Sequence, residues 1–355
     1  METCQESIQQ VQTNLLEWYR MNHRKLPWRE EISAYHTWVS EIMLQQTRVE
    51  TVIPYYERFL AVLPTLKDLA MAEDDLLHKL WEGLGYYSRV RNMKKCAQAC
   101  MERYGGALPQ TYDALCALPG IGPYTAGAIA SIAYQQKVCA IDGNVLRVFS
   151  RILANEEDIS KESTKKNYRT YVSAFLPEKE DAGDFNQALM ELGALVCLPN
   201  TDPDCLRCPL KQQCRAHQLG IETQFPKKAV KKERRIEEYT VLVFLHDGCI
   251  SLVQRSEKGL LANLYGFEMK EGKLDQKQLQ ECYPQAEMII ELKGHRHIFS
   301  HVEWHMHAFL IEMDQGGDTY HTIDEIEDQF AIPTAFRPFY QAACRWISAK
   351  GGCSL

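Results

Sequence analysis

At 355 residues, 45% of them apolar and 25% charged, the chain has the composition of a globular protein large enough for two or three domains. A net charge of −7 excludes a histone-like cationic coat but leaves room for local basic patches. No apolar run approaches a membrane span, the start METCQESIQQ has neither the basic segment nor the apolar core of a secretory signal, and thirteen cysteines in such a chain argue against a disulfide framework; a cytosolic protein is expected.

Residues 5–20 put Ile8, Val11, Leu15 and Trp18 at helical spacing and predict an amphipathic helix. The stretch HRKLPWR (23–29) breaks it. Helical patterns resume near residue 36 and run to about 217, punctuated by Pro54, Pro64, Gly83, Gly85, Gly105, Gly106, Pro109 and Pro119, with no sustained strand alternation. This half reads as all-α. Its organising stretch is LPGIGPYTAGAIASIAYQQKVCAID (118–142). Gly120 and Gly122 allow a turn closed to other residues, and Pro123 suits the first turn of a helix over 125–133. The free N–H groups at that helix start attract an anion such as a phosphodiester. The plain alternative is a Gly/Pro turn between two packed helices.

The composition changes after His217. The run KKAVKKERR (227–235) holds six basic residues and one acid, and reads either as a solvated linker or as an arm gripping phosphates. From Glu238 the pattern is β: TVLVFL and ISLVQR flank an Asp247-Gly248 hairpin turn. Residues 295–311 alternate as one long strand. His295, His297, Phe299, His301, Glu303, His305 and His307 fall on one face, and Ile298, Ser300, Val302, Trp304, Met306 and Leu310 on the other. The histidines are either solvent-exposed or, for His295, His297, His305 and His307, a zinc site. A helix over 337–349 closes the chain.

Two constellations carry chemistry. Cys197, Cys205, Cys208 and Cys214 lie close enough to hold a [4Fe–4S] cluster or a zinc ion; short loops following a helix suit the cluster better. The other nine cysteines are scattered and read as small buried hydrophobes or inert surface thiols. Glu41 sits among Val39, Ile42, Met43, Val49 and Val52, and taken alone reads as a surface acid. Asp142 alone reads as the N-cap of a helix over 144–153. At the mouth of a phosphate-gripping hairpin, such a carboxylate can stabilise a cation developing on the held sugar.

Seven stretches together resemble the iron–sulfur branch of the helix-hairpin-helix DNA glycosylase superfamily, and within it the A/G-specific adenine DNA glycosylases (MutY). They are LPWR (26–29), SEIMLQQTRVETVIPYYERF (40–59), WEGLGYYSRVRN (81–92), LPGIGPYTAGAIASIAY (118–134), AIDGNVLRV (140–148), FNQALMELGALVC (185–197) and the cysteine loop. GLLANLYGFE (259–268) and HIFSHVEWHMHAF (297–309) resemble that family's Nudix-like domain, which recognises 8-oxoguanine. The resemblance implies a multidomain protein. An all-α helix-hairpin-helix domain spans 1–217, with its hairpin at about 113–133 and an iron–sulfur loop at 197–214. A basic linker (218–236) and an α+β Nudix-like domain (237–355) follow.

The resemblance also implies roles. Glu41 protonates N7 of a flipped adenine, and Asp142 stabilises or transiently traps the oxocarbenium-like sugar. Tyr124 and Asn144 hold Asp142 and the sugar. Arg24, Leu26, Trp28, Arg29 and Gln187 shape the adenine pocket. Gln46 and Tyr86 fill or wedge the stack, Gly120 and Gly122 form the DNA-gripping turn, and Phe299, Ser300 and His301 read the oxidised guanine. The four cysteines hold a [4Fe–4S] cluster. Where the bifunctional relative endonuclease III carries a lysine nucleophile, this chain has Tyr124, and no lysine occurs between Leu118 and Gln136. A monofunctional enzyme is expected, acting as a monomer on double-stranded DNA with A:8-oxoguanine or A:G mispairs, in a bacterial-type, nucleoid-associated cytoplasmic location. Two departures stand out: the Cys197–Cys205 spacing is one residue longer than the family's, and GLLANLYGFE lacks the tryptophan and proline usual there. Residues 270–285 also lack the acidic Nudix signature, which argues against pyrophosphate hydrolysis.

Overall fold

In the computed structural model, which describes residues 2–229 and 233–351, the first amphipathic pattern becomes the Glu2–Asn22 helix. It buries Val11, Leu15 and Tyr19 in a core with Val145, Phe149, Leu189 and Leu192. The chain divides into two units: residues up to 71 with 92–229, and residues 72–91 with 233–351. Of the basic run, Val230, Lys231 and Lys232 lie outside the described residues. Among the described cysteines none is disulfide-bonded; Cys96, Cys100 and Cys139 are buried and Cys282 is exposed, while Cys4 and Cys353 fall outside the described side chains.

The first unit is helical. Its hairpin joins the Tyr112–Cys116 helix, capped by Thr111, to the Pro123–Ala128 helix, which continues as a π-helical turn over Ile129–Ala133. Between them Ile121 donates to the Leu118 carbonyl at 3.2 Å, and Gly120 adopts φ +74°. A Cβ on Gly120 would stand 2.7 Å from that of Asn92, so both conformation and space demand glycine. The stretch leading to Asp142 is tied down by buried Asn186, which accepts from the Ala140 N–H and donates to the Val138 carbonyl and Ser131 hydroxyl.

The second unit is built on a mixed sheet. Its strands run in the order Ala286–Ile298, Val302–Met313, Arg235–His246, Cys249–Ser251 and Tyr320–His321, and Glu268–Glu271 also pairs with Arg235–His246. Asp247 and Gly248 both take positive φ, as the hairpin turn requires. One face packs on Phe336, Phe339, Tyr340 and Ala343, and the other on Leu279 of the Gln276–Cys282 helix. Both faces are covered, so 241–245 is buried without alternation.

The long strand expected over 295–311 is instead a hairpin. Ile298 pairs with Glu303, and the Phe299 N–H donates to the Val302 carbonyl at 2.9 Å, leaving Phe299-Ser300-His301 as the turn. The paired Ile298 and Glu303 enclose four residues, and an even number switches which parity points inward. His295 and His297 lie opposite Met306 and Trp304, on the core face, whereas Arg296 and His305 share the outer face. The four histidines therefore do not converge on a zinc site, and Ser300 is an exposed turn residue rather than a member of the apolar face.

Candidate active site

The first unit carries a cavity of about 980 Å³. Ten of the site residues expected from sequence line it: Arg24, Leu26, Trp28, Arg29, Glu41, Gln46, Tyr124, Asp142, Asn144 and Gln187. Gly120 and Gly122 form the turn before Pro123, which lines the cavity. Tyr86, Phe299, Ser300 and His301 belong to the second unit.

Glu41 comes from the Ala34–Leu44 helix, which is buried from Thr37 through Met43, and it is itself only 7% exposed. The surface-acid reading is thereby corrected: the helix is enclosed around this position. Burial pushes its carboxyl up to about 7, and the negative charge of Asp142 adds to that. The Tyr124 hydroxyl, which donates to Glu41 Oε2, and the cation of Arg29 pull the other way. The result is a carboxylic acid that still holds its proton near neutrality.

Asp142 is also raised, chiefly by burial, against the hydrogen bonds it accepts from Val145 and Asn144 and the nearby cation of Arg147. It caps the Gly143–Leu153 helix, accepting from the Val145 N–H at 2.8 Å and from Asn144 Nδ2 at 2.6 Å. Its charge therefore sits at a helix N-terminus, where anions are favoured. Asp142 is thus the expected helix cap and also lines the cavity.

Behind this acid lies a chain of polar contacts. Arg147 donates to Asn144 Oδ1, the Gly193 carbonyl and the Cys197 carbonyl, each at 2.8 Å. Gly193 permits the approach: a Cβ there would meet that of Asn144 at 2.6 Å. One turn on, Arg151 donates to Cys197 Sγ at 3.1 Å and the Leu198 carbonyl at 3.0 Å. A single helix thus orients both the carboxylate and the cysteine loop.

Sequence reasoning missed Arg147, and it missed Glu191. The Glu191 side chain is 1% exposed and takes hydrogen bonds from the Arg24 backbone and guanidinium and from Arg29, all at 2.8–2.9 Å. Although burial acts to raise it, these arginines hold its carboxyl down at about 2. The signal was an acid four residues after Gln187, hence on the same face of the Lys179–Leu195 helix. Glu191 thereby pairs with Arg24 and Arg29 and fixes their direction.

Cys197, Cys205, Cys208 and Cys214 line one small second cavity with Arg151 and His217. The extra residue after Cys197 is absorbed in a loop closed by the Asp204 N–H on the Val196 carbonyl at 3.0 Å. His217, the alternative ligand, has its Nδ1 engaged by Glu222 at 2.6 Å. A tetrahedral zinc would draw four sulfurs within about 4 Å of one another. Among the described residues no three of these sulfurs lie within 4.8 Å of one another; the one metal-sized group is Cys205, His217 and Glu222. Four thiols spread around one cavity fit an iron–sulfur cluster better than a single ion.

Comparison with known proteins identifies the family. Residues 39–173 match the HhH-GPD superfamily of base excision DNA repair proteins, and residues 239–342 match the NUDIX domain. An adenine DNA glycosylase of Mus musculus is 37% identical over 367 aligned residues, covering 85% of this chain and 70% of its own. One from Buchnera aphidicola subsp. Acyrthosiphon pisum is 33% identical, covering 84% of this chain and 85% of its own. The chain spans only 48–59% of the relatives from rat, human and Arabidopsis thaliana. In solved structures, a thermostable thymine-DNA glycosylase shares the fold at a TM-score of 0.56 and 24% identity, over 61% of this chain and 99% of its own. Endonuclease III-type and MutY-type glycosylases generally carry a [4Fe–4S] cluster, and the helical domain, the Nudix-like domain and the sequence identity together make this chain a member of the adenine DNA glycosylase family of base-excision repair enzymes.

Proposed function

We propose that this protein removes adenine mispaired with 8-oxoguanine, and less efficiently with guanine, by hydrolysing the bond between N9 and C1′. The observation that carries this reading is a buried Glu41 and a helix-capping Asp142 lining one cavity. Extruding the base costs a few kcal/mol, which contacts from Gln46 and Tyr86 in the vacated stack offset. Inside the cavity Leu26, Trp28 and Gln187 hold the adenine. Glu41 donates its proton to N7, and the C1′–N9 electron pair leaves with the base. Asp142, held by Asn144, stabilises the positive charge left on the sugar. Water then forms the new C1′–O bond and gives its proton to the Glu41 carboxylate.

With tyrosine rather than lysine after the glycine turn, and no lysine between Leu118 and Gln136, no Schiff base forms and the strand stays intact. Cys197, Cys205, Cys208 and Cys214 would hold the [4Fe–4S] cluster, which supplies a fixed scaffold for the loop carrying Arg207 and Lys211 rather than a redox step. Phe299, Ser300 and His301 read the base opposite. The protein works as a monomer on double-stranded DNA, at the nucleoid of a bacterial-type cell; among the described residues no helix is long and apolar enough to cross a membrane.

The test is incubation with duplexes containing A:8-oxoguanine, A:G or thymine glycol, scored with and without hot alkali. Adenine-strand breaks that appear only after alkali are expected, fastest for A:8-oxoguanine. Breaks without alkali would overturn the monofunctional mechanism, and cleavage only at thymine glycol would overturn the substrate.

A further inference from the structure

Residues 72–91 precede most of the helical half in sequence yet belong to the unit of the C-terminal sheet. Charged contacts fasten them there. Glu82, whose side chain is 12% exposed, accepts from the Ile332 N–H at 2.9 Å, pairs with Arg337 Nη2 at 2.5 Å and meets the Lys79 ammonium at 3.2 Å. Lys79 in turn donates to the carbonyls of Phe330 at 3.1 Å and Ile326 at 3.4 Å, where the Ile323–Gln329 helix ends and a cation is favoured. At the other end Arg91 donates to the Ala262 carbonyl at 2.8 Å.

Between these anchors lies a constrained loop. Arg89 donates to the Leu84 and Gly85 carbonyls and covers the rings of Trp81 and Tyr86; Trp81 Nε1 also donates to the Gly85 carbonyl. The loop keeps Tyr86 at φ +47°, a conformation that persists only when its surroundings enforce it. The Tyr86 hydroxyl then lies 2.9 Å from Ser300 Oγ in the hairpin turn.

We propose that Glu82 and Arg337 are positioning residues for mispair selectivity. Their ion pair makes the Tyr86 loop part of the body that carries Ser300, so that filling the stack and reading the opposite base occur as one event. The inference rests on the reading of Tyr86 and Ser300 given above. Glu82 and Arg337 touch no DNA in this scheme and act through Tyr86. The Glu82 side chain is 12% exposed and that of Arg337 34%; Glu82 also meets Lys79, and Arg337 lies 3.9 Å from Glu327.

The test uses the full chain and a double-mutant cycle of Glu82→Gln and Arg337→Gln, with Arg337→Lys as the conservative variant. Glutamine at 82 still accepts from the Ile332 N–H, which favours folding. Each single variant should lower the ratio of A:8-oxoguanine to A:G excision rates by about tenfold, a loss of the size seen for coupled neighbours. The double variant should be no worse than either single, and Arg337→Lys should stay near wild type. Amide exchange at 84–87 reads the clamp without any substrate and should accelerate about tenfold in both glutamine variants. Additive losses, equal decline on both duplexes, or unchanged exchange would each overturn the proposal. A wild-type enzyme indifferent to the opposite base would defeat the mispair reading instead, and exchange alone would then decide whether the clamp exists.

Discussion

Under the mechanism proposed above, the cavity of the helical unit and the histidine-rich hairpin of the second unit solve opposite problems. Glu41 and Asp142 are enclosed, and enclosure is what gives them chemistry: burial is the first cause of both raised carboxyls. Ser300 is exposed at the hairpin turn. A group that must move a proton gains from losing water, whereas a group that must meet a base inside a duplex gains from remaining reachable. The first kind of site is sensitive to charge and pH. The second is sensitive to position.

The sharpest way to break this contrast is to remove one charge from the enclosed pair. Asp142→Asn keeps the helix cap, because asparagine caps as well as aspartate, and so should fold and bind duplex DNA. Base release should fall by about a hundredfold to ten-thousandfold, the contribution usual for positioned acid–base groups, and Glu41→Gln should do the same. Single-turnover excision with a parallel binding measurement checks this. Unchanged turnover in either variant removes that residue from the mechanism.

The same enclosure predicts that inactivating Glu41 stabilises the protein. An unfolded glutamate titrates near 4.5, whereas the folded one holds its proton to about 7. Between these values the folded chain binds more protons, so stability is lost as pH rises and the loss persists above 7. Glutamine cannot ionise. Glu41→Gln should therefore match wild type at pH 4 and exceed it by about 3 kcal/mol at pH 8. Denaturant unfolding at the two pH values measures the difference. The wild-type excision rate should decline over the same interval as Glu41 loses its proton. An advantage over wild type no larger at pH 8 than at pH 4 would mean that the fold does not raise the Glu41 carboxyl.

What the sequence disclosed follows the same division. The glycine turn and the capping aspartate were legible as local patterns, whereas Glu41 alone read as a surface acid; the roles of the ten expected residues that line the cavity came from the family resemblance. What stayed hidden was long-range. Arg147 reaches back to Asn144 and across to the Cys197 carbonyl, 50 residues on, and Glu191 meets Arg24 at a separation of 167. No spacing rule reports such pairs. The hairpin was misread for a local reason: alternation on even positions holds through the Val302–Met313 strand, and projecting it backward hid the parity change at Phe299-Ser300-His301. A turn without glycine or proline gave no break to see.

The smallest expected effect lies in that turn. Ser300→Ala removes one exposed hydroxyl, and a single neutral hydrogen bond is worth about 0.5–1.5 kcal/mol. Excision opposite 8-oxoguanine should slow by roughly threefold to tenfold, with A:G turnover and the pH profile unchanged. The two duplexes, compared across pH in one assay, separate reading from chemistry. If the A:G rate fell equally, Ser300 would be holding DNA of any sequence and not distinguishing the oxidised base. If the pH profile moved, the turn would be acting on the enclosed acids, and the separation between a site that hides its groups and a site that displays them would not describe this enzyme.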